Sequence, residues 1–332
     1  MGMQDSERID LRQTMIQTFI RAVEEGVNLA VVVADSTSTS KIAPFQERFP
    51  ERVVNVGIAE QNLVGVAVGL SLGGFVAVTA NAAPFLISRA NEQVKNDVCY
   101  TDSNVKLLGL NAGVCYGSLA STHHAIDDLS VMQGFGNILI LAPSDPIETE
   151  QILRFSLSHK GPVYIRMDSA AFPILHEQTY KFQPGVVDVL RTGTDVTLAA
   201  VGSVVYEAVF AARDLEQRGI AAEVLNVSSF RPVDRMGILD SVRKTGAVVT
   251  VEEHSLHGGL GALVSEMVAQ EGLSVRMLRL GVSKGRFSKA GPREQIRSYY
   301  HIDQEGIVAS VVDLLCGNGK IRSNGNGRDT SF

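Results

Sequence analysis

The residue with the clearest potential for chemistry in this sequence is Glu60, an acid between two apolar stretches. Val53 and Val54 are typical of the end of a buried strand, and apolar and small residues dominate positions 63–72. An ionised carboxylate is costly to desolvate in such surroundings, so either its pKa rises or it has a dedicated partner. Buried carboxyl groups of this kind are frequent at functional sites. Glu60, at a strand-to-helix junction, is therefore the first catalytic candidate.

Length, charge and hydropathy exclude several classes of function. A chain of 332 residues with 45% hydrophobic residues can bury large cores, and its length favours two domains. The net charge of −6 argues against a nucleic-acid partner. No apolar run reaches the roughly 20 residues that a membrane span needs. Residues 1–12 are polar and mixed in charge, which does not indicate a signal peptide.

The three cysteines, Cys99, Cys115 and Cys316, are far apart and form no CxxC motif. This usage suits a reducing compartment and gives no cysteine zinc site. We therefore expect a cytoplasmic protein whose thiols are small buried or idle groups, and we expect no metal ligands in this chain.

Short apolar runs alternate with helical stretches in a first part of the chain. Strands are predicted at 29–34, 53–56, 75–79, 106–109, 138–141 and 163–165. Helices are predicted between them at 61–72, 84–99, 126–134 and 146–159. Strands that alternate with helices imply a mainly parallel sheet that helices cover on both faces.

A second part shows the same alternation after a stretch with two prolines and little periodicity. Its strands are predicted at 195–201, 222–227, 247–251 and 275–280, and its helices at 204–218, 233–244, 258–271 and 303–315. The expected fold class is α/β, with two domains that each contain a mainly parallel sheet flanked by helices. We place these domains, called below the first and second block, at 1–172 and 187–316. A linker is expected at 173–186 and a disordered tail at 317–332.

The helix predicted after Glu60 contains Gly65 and Gly69, and Gly73 and Gly74 follow it. Glycine inside a helix costs about 1 kcal/mol relative to alanine. Such positions suggest that another backbone packs close to the helix. Two interpretations stay open: tight packing on the sheet of the same domain, or burial of the helix at a subunit interface.

Several motifs occur together in an order that is specific to one family. In chain order they are Ala34-Asp35-Ser36, NVGIAEQN (55–62), PFLISRA (84–90), Thr122-His123-His124, APSD (142–145), and VEEH (251–254) with GGLG (258–261). Over residues 10–315 the sequence resembles the C-terminal half of a transketolase, which consists of a pyrimidine-binding (Pyr) domain and a small C-terminal domain. Each motif alone is weakly specific, and the ordered set carries the resemblance.

The diphosphate-binding motif of full-length transketolases, Gly-Asp-Gly followed by Asn, has no counterpart here, since the sequence contains no Gly-Asp-Gly. The resemblance therefore implies the C-terminal-half subunit of a split transketolase, whose partner chain binds Mg²⁺ and the diphosphate of thiamine diphosphate. The cofactor would be shared between the chains, in an assembly expected to contain two copies of each. The implied activity is transfer of a two-carbon ketol unit from a ketose to an aldose, and it requires the partner.

The resemblance also implies roles for residues around the cofactor. Glu60 matches the acid that hydrogen-bonds the pyrimidine ring and activates the aminopyrimidine, whereas a structural Glu60 would bond backbone amides. Phe85 matches an aromatic residue that lines the ring, although Ala82 replaces a second phenylalanine of the family. Asp35 and Ile58 match further positions near the cofactor. The alternatives are that Phe85 is a core residue and that Asp35 is a helix cap or turn residue.

Substrate contacts are implied by three further matches. His123 matches a catalytic histidine that binds substrate oxygens and transfers protons, with a structural histidine as the alternative. Arg166 matches an arginine that binds substrate phosphate, with an ordinary ion pair as the alternative. Asn111 stands where the family has a histidine, and Leu119 stands where it has an acid that recognises a substrate hydroxyl. Because lost polar contacts change discrimination between sugars, we expect a branched, deoxy or otherwise modified ketose, phosphorylated as in the family.

Three other interpretations stay open. The β subunit of a 2-oxo-acid dehydrogenase has the same two domains, but GIAEQN and the Thr-His pair favour transketolase. A half that resembles deoxyxylulose-phosphate synthase is the second. A non-catalytic assembly subunit is the third, and the presence of Glu60 and His123 argues against it.

Overall fold

The computed structural model describes residues 7–282 and 287–317. Within these ranges the chain forms two main sheets, of seven and five strands, and one two-stranded ribbon. Helices cover both faces of each main sheet, which confirms the predicted α/β class. Apart from Gly317, the tail predicted at 317–332 lies outside the described residues. No helix of the described ranges is both long and apolar enough to cross a bilayer.

Most elements are short, as expected for alternating strands and helices. The strands are β1 (Arg8–Asp10), β2 (Leu29–Val33), β3 (Val53–Asn55), β4 (Val76–Ala82), β5 (Val105–Leu110), β6 (Leu139–Leu141), β7 (Val163–Arg166), β8 (Ala171–Pro173), β9 (Asp188–Arg191), β10 (Val196–Val201), β11 (Ala222–Asn226), β12 (Ser229–Arg231), β13 (Ala247–Ser255) and β14 (Arg276–Val282). The helices are α1 (Leu11–Glu24), α2 (Thr37–Ser40), α3 (Ala43–Arg48), α4 (Glu60–Leu72), α5 (Ala83–Arg89), α6 (Asn91–Gln93), α7 (Asp128–Gln133), α8 (Pro146–Ser158), α9 (Val205–Glu216), α10 (Arg235–Thr245), α11 (Leu260–Gln270), α12 (Arg293–Tyr299) and α13 (Gln304–Leu315). Other helical segments are a π-helix at Val94–Cys99 and 3-10 turns at Pro50–Arg52, Gly117–Thr122 and Gly202–Val204.

The larger sheet has the strand order β12-β6-β7-β5-β4-β2-β3. Within this sheet, neighbouring strands from β2 to β7 all pair in parallel, as predicted for the first block. Helices α1, α3 and α8 pack on one face, and α4, α5 and α7 pack on the other. The carboxyl ends of these parallel strands lie at one edge, where ligands bind in sheets of this type.

Strand β12 belongs to the larger sheet although it comes from the second block. Ser229 and Arg231 pair antiparallel with Leu141 and Ile140 of β6. The sequence did not predict this strand, because three residues are too few to show a periodicity. The two blocks therefore share a sheet as well as a continuous hydrophobic core.

The smaller sheet has the strand order β14-β13-β10-β11-β9, and only β9 is antiparallel to its neighbour. Helices α9 and α13 cover one face, and α10 and α11 cover the other. Glu252 of β13 accepts hydrogen bonds from the backbone N–H groups of Leu260 at 2.7 Å and Gly261 at 2.8 Å. The carboxylate thereby caps α11, so the VEEH and GGLG motifs contact each other in a structural role.

Two predictions about local structure are wrong. The helix predicted at 84–99 is interrupted at Ala90, whose φ of −106° and ψ of 20° separate α5 from α6. β3 is an edge strand in which Val53 and Val54 are half-buried, so it is not a buried strand. In addition, α1 was not predicted; the Asp10 side chain accepts a hydrogen bond from the backbone of its first turn.

The glycines of α4 do not pack against the part of the chain that the structure describes. A Cβ atom built at Gly65 or Gly69 would have no heavy atom of these residues within 4 Å, the adjacent backbone of α4 aside. Ile58, just before the helix, and Leu72, at its end, are 75% and 80% exposed. Tight packing within the domain therefore does not explain the glycines. We call the open surface of Ile58, Gly65, Gly69 and Leu72 the outer face of α4.

His176, in the segment predicted as a linker, connects the two blocks. Its ring nitrogens lie 3.1 Å from Asp145 Oδ1, before α8, and 2.9 Å from Asp188 Oδ2, in β9. Burial on its own lowers the pKa of His176, but the adjacent carboxylates of Asp145 and Asp188 outweigh it and raise the pKa to about 10. The charged imidazolium therefore holds two carboxylates of different blocks together.

Replacing His176 by Gln is expected to destabilise the chain most below pH 6.5. Because folding raises the pKa of His176 from 6.5 to about 10, its stabilisation is fully present below the unfolded value and is lost as the pH rises through about 10. The free energies of unfolding of wild type and variant should differ by about 3 kcal/mol at low pH and converge at high pH. Urea unfolding between pH 6 and pH 10.5 measures this, and a difference that grows with pH would contradict it.

Candidate active site

The loops at the carboxyl edge of the larger sheet contain most of the predicted site residues. After β2 the chain turns at Asp35, with a φ of 53°, and after β3 it turns at Gly57, with a φ of 73°. Asn55 Oδ1 accepts hydrogen bonds from the backbone N–H groups of both residues, each at 3.0 Å. Asn55 therefore fixes the path of the chain that leads from β3 to Glu60.

Glu60 is the first residue of α4 and is only 5% exposed. Its Oε1 accepts a hydrogen bond from Arg89 Nη1 at 2.9 Å. The N-terminus of a helix also favours a negative charge nearby. The buried carboxylate thus has the dedicated partner that its surroundings require, and this partner is a guanidinium group rather than backbone amides.

Arg89 extends the site from Glu60 to an aromatic ring. Phe85 and Arg89 lie four residues apart on α5 and therefore on one face of it. The guanidinium carbon lies 4.3 Å from the centroid of the Phe85 ring, in cation–π contact. Because the Arg89 side chain is 50% exposed, it can leave both groups without disturbing the core.

His123 continues the series of contacts. Its ring meets the ring of Phe85 edge-on, with 5.1 Å between centroids, and the ring of Tyr116 with 5.4 Å. Its Nδ1 lies 2.9 Å from Thr122 Oγ1. We call the connected set the active-site cluster, and its members are Glu60, Phe85, Arg89 and His123.

Asn111 follows β5 in the left-handed conformation, with a φ of 56°, which asparagine adopts more readily than most other residues. Its backbone N–H donates to Ser169 Oγ at 3.1 Å, but its side-chain Oδ1 is buried with no hydrogen-bond partner among the described residues. A buried acceptor without a partner carries a cost, so an unpaired one in a folded protein indicates a functional role such as ligand binding. Asn111 is therefore suited to a ligand contact.

Ala120 carries backbone strain in the loop before His123. Its φ of 61° and ψ of −161° describe a conformation that is essentially restricted to glycine. Holding another residue there costs about 1–3 kcal/mol. The loop must therefore be held in shape by its surroundings.

Replacing Ala120 by Gly is expected to raise the free energy of unfolding by about 1 kcal/mol, since the relieved strain exceeds the entropy that glycine adds to the unfolded chain. Thermal and urea unfolding measure the change. Ala221→Gly is the matched control, because Ala221 is exposed and is not among the residues with positive φ, and this variant should lose stability. Equal losses in both variants would contradict the strain at Ala120.

Two sequence families match the chain over most of its length. Residues 7–173 match the family described as transketolase, pyrimidine binding domain, and residues 185–314 match transketolase, C-terminal domain. The chain belongs to the transketolase family. Membership of this transketolase family implies dependence on thiamine diphosphate.

Individual transketolase relatives agree with this result. One subunit of the apulose-4-phosphate transketolase of Actinobacillus succinogenes is 53% identical, over 92% of this chain and 98% of that protein. 1-Deoxy-D-xylulose-5-phosphate synthase 1 of Geobacter sulfurreducens is 36% identical, over 91% of this chain and 47% of that protein. A solved structure, "Split gene transketolase, inactive beta4 tetramer", has 36% identity and a TM-score of 0.82, and the match covers 93% of this chain and 98% of that one. The predicted resemblance to the C-terminal-half subunit of a split transketolase is confirmed.

The guanidinium group of Arg166 is not available to bind a substrate phosphate, because protein groups already occupy it. Its side chain is buried, and its Nε donates to Asp128 at 3.0 Å. Its Nη2 donates to the backbone carbonyl of Glu253, in the second block, at 2.9 Å. This geometry fits the alternative of a structural ion pair, and we leave Arg166 out of the proposed substrate site.

The remaining predicted residues lie at the surface of the same region. Asp35 is exposed, and Ser36 rather than Asp35 directly precedes α2, so Asp35 is a turn residue with an open carboxylate. Ile58 belongs to the outer face of α4. Leu119 is exposed in the turn before His123. Contacts of Asp35 and Ile58 with a cofactor stay predictions.

Two residues of the site were not identified from the sequence. Arg89 is part of the PFLISRA motif, and its spacing of four residues from Phe85 was the available signal. Tyr116 lies between Asn111 and Leu119, two positions that depart from the family pattern. Its contact with His123 depends on the path of a strained loop, which no local pattern predicts.

A buried network of charges lies between the two blocks. Arg293, the first residue of α12, donates to Asp168 Oδ1 and to Glu253 Oε1, each at 2.9 Å. Arg297 contacts Glu253 at 3.1 Å and Glu207 at 3.2 Å. Burial on its own raises the pKa values of Asp168 and Glu253, but the charge of Arg293 outweighs it and lowers both. The ionised network therefore fixes α12 to both blocks.

Proposed function

We propose that this chain is the subunit of a two-chain transketolase that holds the pyrimidine end of thiamine diphosphate. The assembled enzyme would transfer a two-carbon ketol unit from a phosphorylated ketose to an aldose. The observation that carries the proposal is the active-site cluster, in which a buried carboxyl group, an aromatic ring and a histidine are in one series of contacts. The 53% identity to one chain of an apulose-4-phosphate transketolase supports it.

The active-site cluster fits an aminopyrimidine ring. Such a ring needs a carboxyl group that is protected from water and an aromatic surface beside it. Glu60 offers the carboxyl group and Phe85 the surface. The Arg89 side chain contacts both Glu60 and Phe85. It is half-exposed, and it would have to move away from them when the ring binds. Asp35 and Ile58, at the same edge of the sheet, are the further cofactor contacts that we propose.

Two residues of this chain would take part in the chemistry. Thiamine diphosphate, when bound, would supply the nucleophilic carbon that ketol transfer requires. Glu60 would hold a proton at the ring nitrogen, through a hydrogen bond that the exclusion of water strengthens. His123 would bind the substrate oxygens and move a proton to or from them.

The substrate that we propose is a ketose phosphate of the kind named for the A. succinogenes relative, apulose 4-phosphate. Asn111 and Leu119 replace a histidine and an acid of ordinary transketolases, so ordinary sugar phosphates would lose polar contacts here. Since Arg166 is already paired with Asp128, other groups would have to bind the phosphate.

The partner that we propose is a chain that binds the diphosphate and Mg²⁺, with two copies of each subunit in the assembly. The outer face of α4 is apolar, open, and next to Glu60, which makes it suitable for docking this partner. We assign Mg²⁺ to the partner because this sequence contains no Gly-Asp-Gly motif. The described residues also contain no group of three His, Cys, Asp or Glu side chains arranged for a metal ion. The cytoplasmic location stays a prediction.

Reconstitution with a subunit that contains Gly-Asp-Gly tests the proposal. Ketol transfer is measured with apulose 4-phosphate as donor and glyceraldehyde 3-phosphate as acceptor, and compared with xylulose 5-phosphate and ribose 5-phosphate. We expect higher kcat/KM for the first pair, and rapid turnover of the second would rule out the non-standard sugar. Release of CO₂ from pyruvate would instead favour the synthase or the dehydrogenase. Absence of turnover with every pair would favour an assembly subunit.

A further inference from the structure

We propose that Ser288, in the second block, is a positioning residue for the active site, because its hydrogen bonds hold the loop 117–124 and thereby orient His123. The functional part of this inference rests on the substrate contact proposed for His123. Every site residue predicted from the sequence lies in the first block. Ser288 connects the second block to the loop at the catalytic edge of the larger sheet, more than 160 residues away along the chain.

Ser288 contacts the loop at several points. Its hydroxyl oxygen lies 2.5 Å from His124 Nδ1 and 3.0 Å from Ser121 Oγ, and its carbonyl oxygen accepts from Ser121 Oγ at 3.0 Å. The other ring nitrogen of His124, Nε2, lies 3.0 Å from the carbonyl oxygen of Gly117. His124 and Ser288 are both buried, so water competes little for these bonds. Ser288 thus contacts the loop at Ser121 and His124, and His124 in turn connects to Gly117 at the start of the loop.

The donor and acceptor in each of these hydrogen bonds can be assigned from the chemistry of Gly117, His124 and Ser288. The carbonyl of Gly117 can only accept, so His124 Nε2 is the donor to it. Burial lowers the pKa of His124, which favours the neutral ring, and Nδ1 is then an acceptor for the hydroxyl proton of Ser288. Ser121 has one hydroxyl proton, and both the hydroxyl oxygen and the carbonyl oxygen of Ser288 lie within reach to accept it. Alanine at position 288 would remove the hydroxyl donor and acceptor, and threonine would keep both.

The loop needs this external support. Ala120 holds it in a conformation that favours glycine. A Cβ atom at Gly117 would lie 2.9 Å from the carbonyl oxygen of Gly291, so the loop is in close contact with the backbone of the second block. Arg293, two residues further on, belongs to the buried charge network. Ser288 and Gly291 therefore lie next to a firmly anchored part of the chain.

His123 is the functional residue that depends on this support. The backbone N–H groups of His123 and His124 both donate to the carbonyl of Ala120, at 2.9 and 3.0 Å. A shift of the loop would therefore move the His123 ring away from Phe85, while Glu60 on α4 stays in place. Errors of about 1 Å in the placement of a catalytic group cost up to about 100-fold in rate.

Three variants of the reconstituted two-chain enzyme test the role of Ser288. We expect Ser288→Ala to lower kcat/KM for the ketose about 10- to 100-fold, with the dissociation constant of thiamine diphosphate, from titration calorimetry, changed less than about threefold. Ser288→Thr should recover most of the loss. Ser298→Ala, at an exposed serine of α12, is the matched control and should behave as wild type. Unchanged kcat/KM in Ser288→Ala, or equal losses in the Ala and Thr variants, would overturn the proposal.

A spectroscopic measurement separates this inference from the proposed function. Imidazole ¹⁵N signals of the free chain report the tautomer of His124 and the surroundings of His123. They should change in Ser288→Ala and be restored in Ser288→Thr. If the wild-type complex transfers no ketol unit, the proposed function fails, and the imidazole signals still decide the positioning. Signals that are identical in wild type and Ser288→Ala would refute it.

Discussion

Replacing Glu60 by Gln is expected to lower the turnover of the assembled complex about 10²- to 10³-fold, while the two subunits still assemble. Gln has nearly the same size, but it cannot hold the proton that a carboxyl group holds at a ring nitrogen. In a site that excludes water, no solvent group replaces it. The measurement is kcat at saturating thiamine diphosphate, with assembly followed by light scattering.

The matched control for this prediction is Glu92→Gln. Glu92 is an exposed acid on α6, near the site, and the same chemical change there should leave turnover unchanged. If Glu60→Gln and Glu92→Gln both turn over at the wild-type rate, the proton-holding role of Glu60 is wrong. The non-catalytic assembly subunit would then be the better interpretation.

Replacing Arg293 by Met is expected to destabilise the chain by about 3–5 kcal/mol, because it leaves Asp168 and Glu253 buried without their main counter-charge. Folding lowers the pKa of these two carboxyl groups from 3.8 and 4.5. Their stabilisation is therefore present above those unfolded values and is lost as the pH falls below them. The difference in unfolding free energy between wild type and variant should be largest near pH 7 and smaller below pH 4.

Arg243→Met is the control for the loss of an arginine ion pair. Arg243 pairs with Asp240 at 3.0 Å and with Glu271 at 2.8 Å, at the protein surface. Exposed pairs of this kind contribute less than about 1 kcal/mol. Urea unfolding of both variants at pH 7 makes the comparison. Equal losses would contradict the view that the buried network is what fixes α12.

The parts of the fold that the sequence predicted are those with a strong local signal. The buried parallel strand β2 is a continuous apolar run, and α8 begins with a capping Asp145 and a proline. Strand β12 is too short to give such a signal, and its pairing depends on a strand that lies far away in the sequence. Local patterns cannot supply that information.

The candidate site shows the same division between local and distant information. The burial of Glu60 was predicted from its apolar neighbours, and its requirement for a partner followed from the cost of desolvation. The identity of the partner, Arg89, depends on how α4 and α5 pack together, which is a property of the folded chain. Arg166 illustrates the opposite case: a motif match suggested a substrate contact, but tertiary contacts already use its guanidinium group.

The strand that the second block contributes to the larger sheet limits where the molecule can be cut. A fragment that ends at residue 184 would contain every strand of that sheet except β12. Its β6 would then present unpaired N–H and C=O groups to solvent, and such a border promotes association with other chains and aggregation. Expression of the pyrimidine-binding portion alone would therefore need to retain residues through Arg231. A cut at residue 184, at the boundary that the sequence indicates, would therefore produce an aggregation-prone fragment.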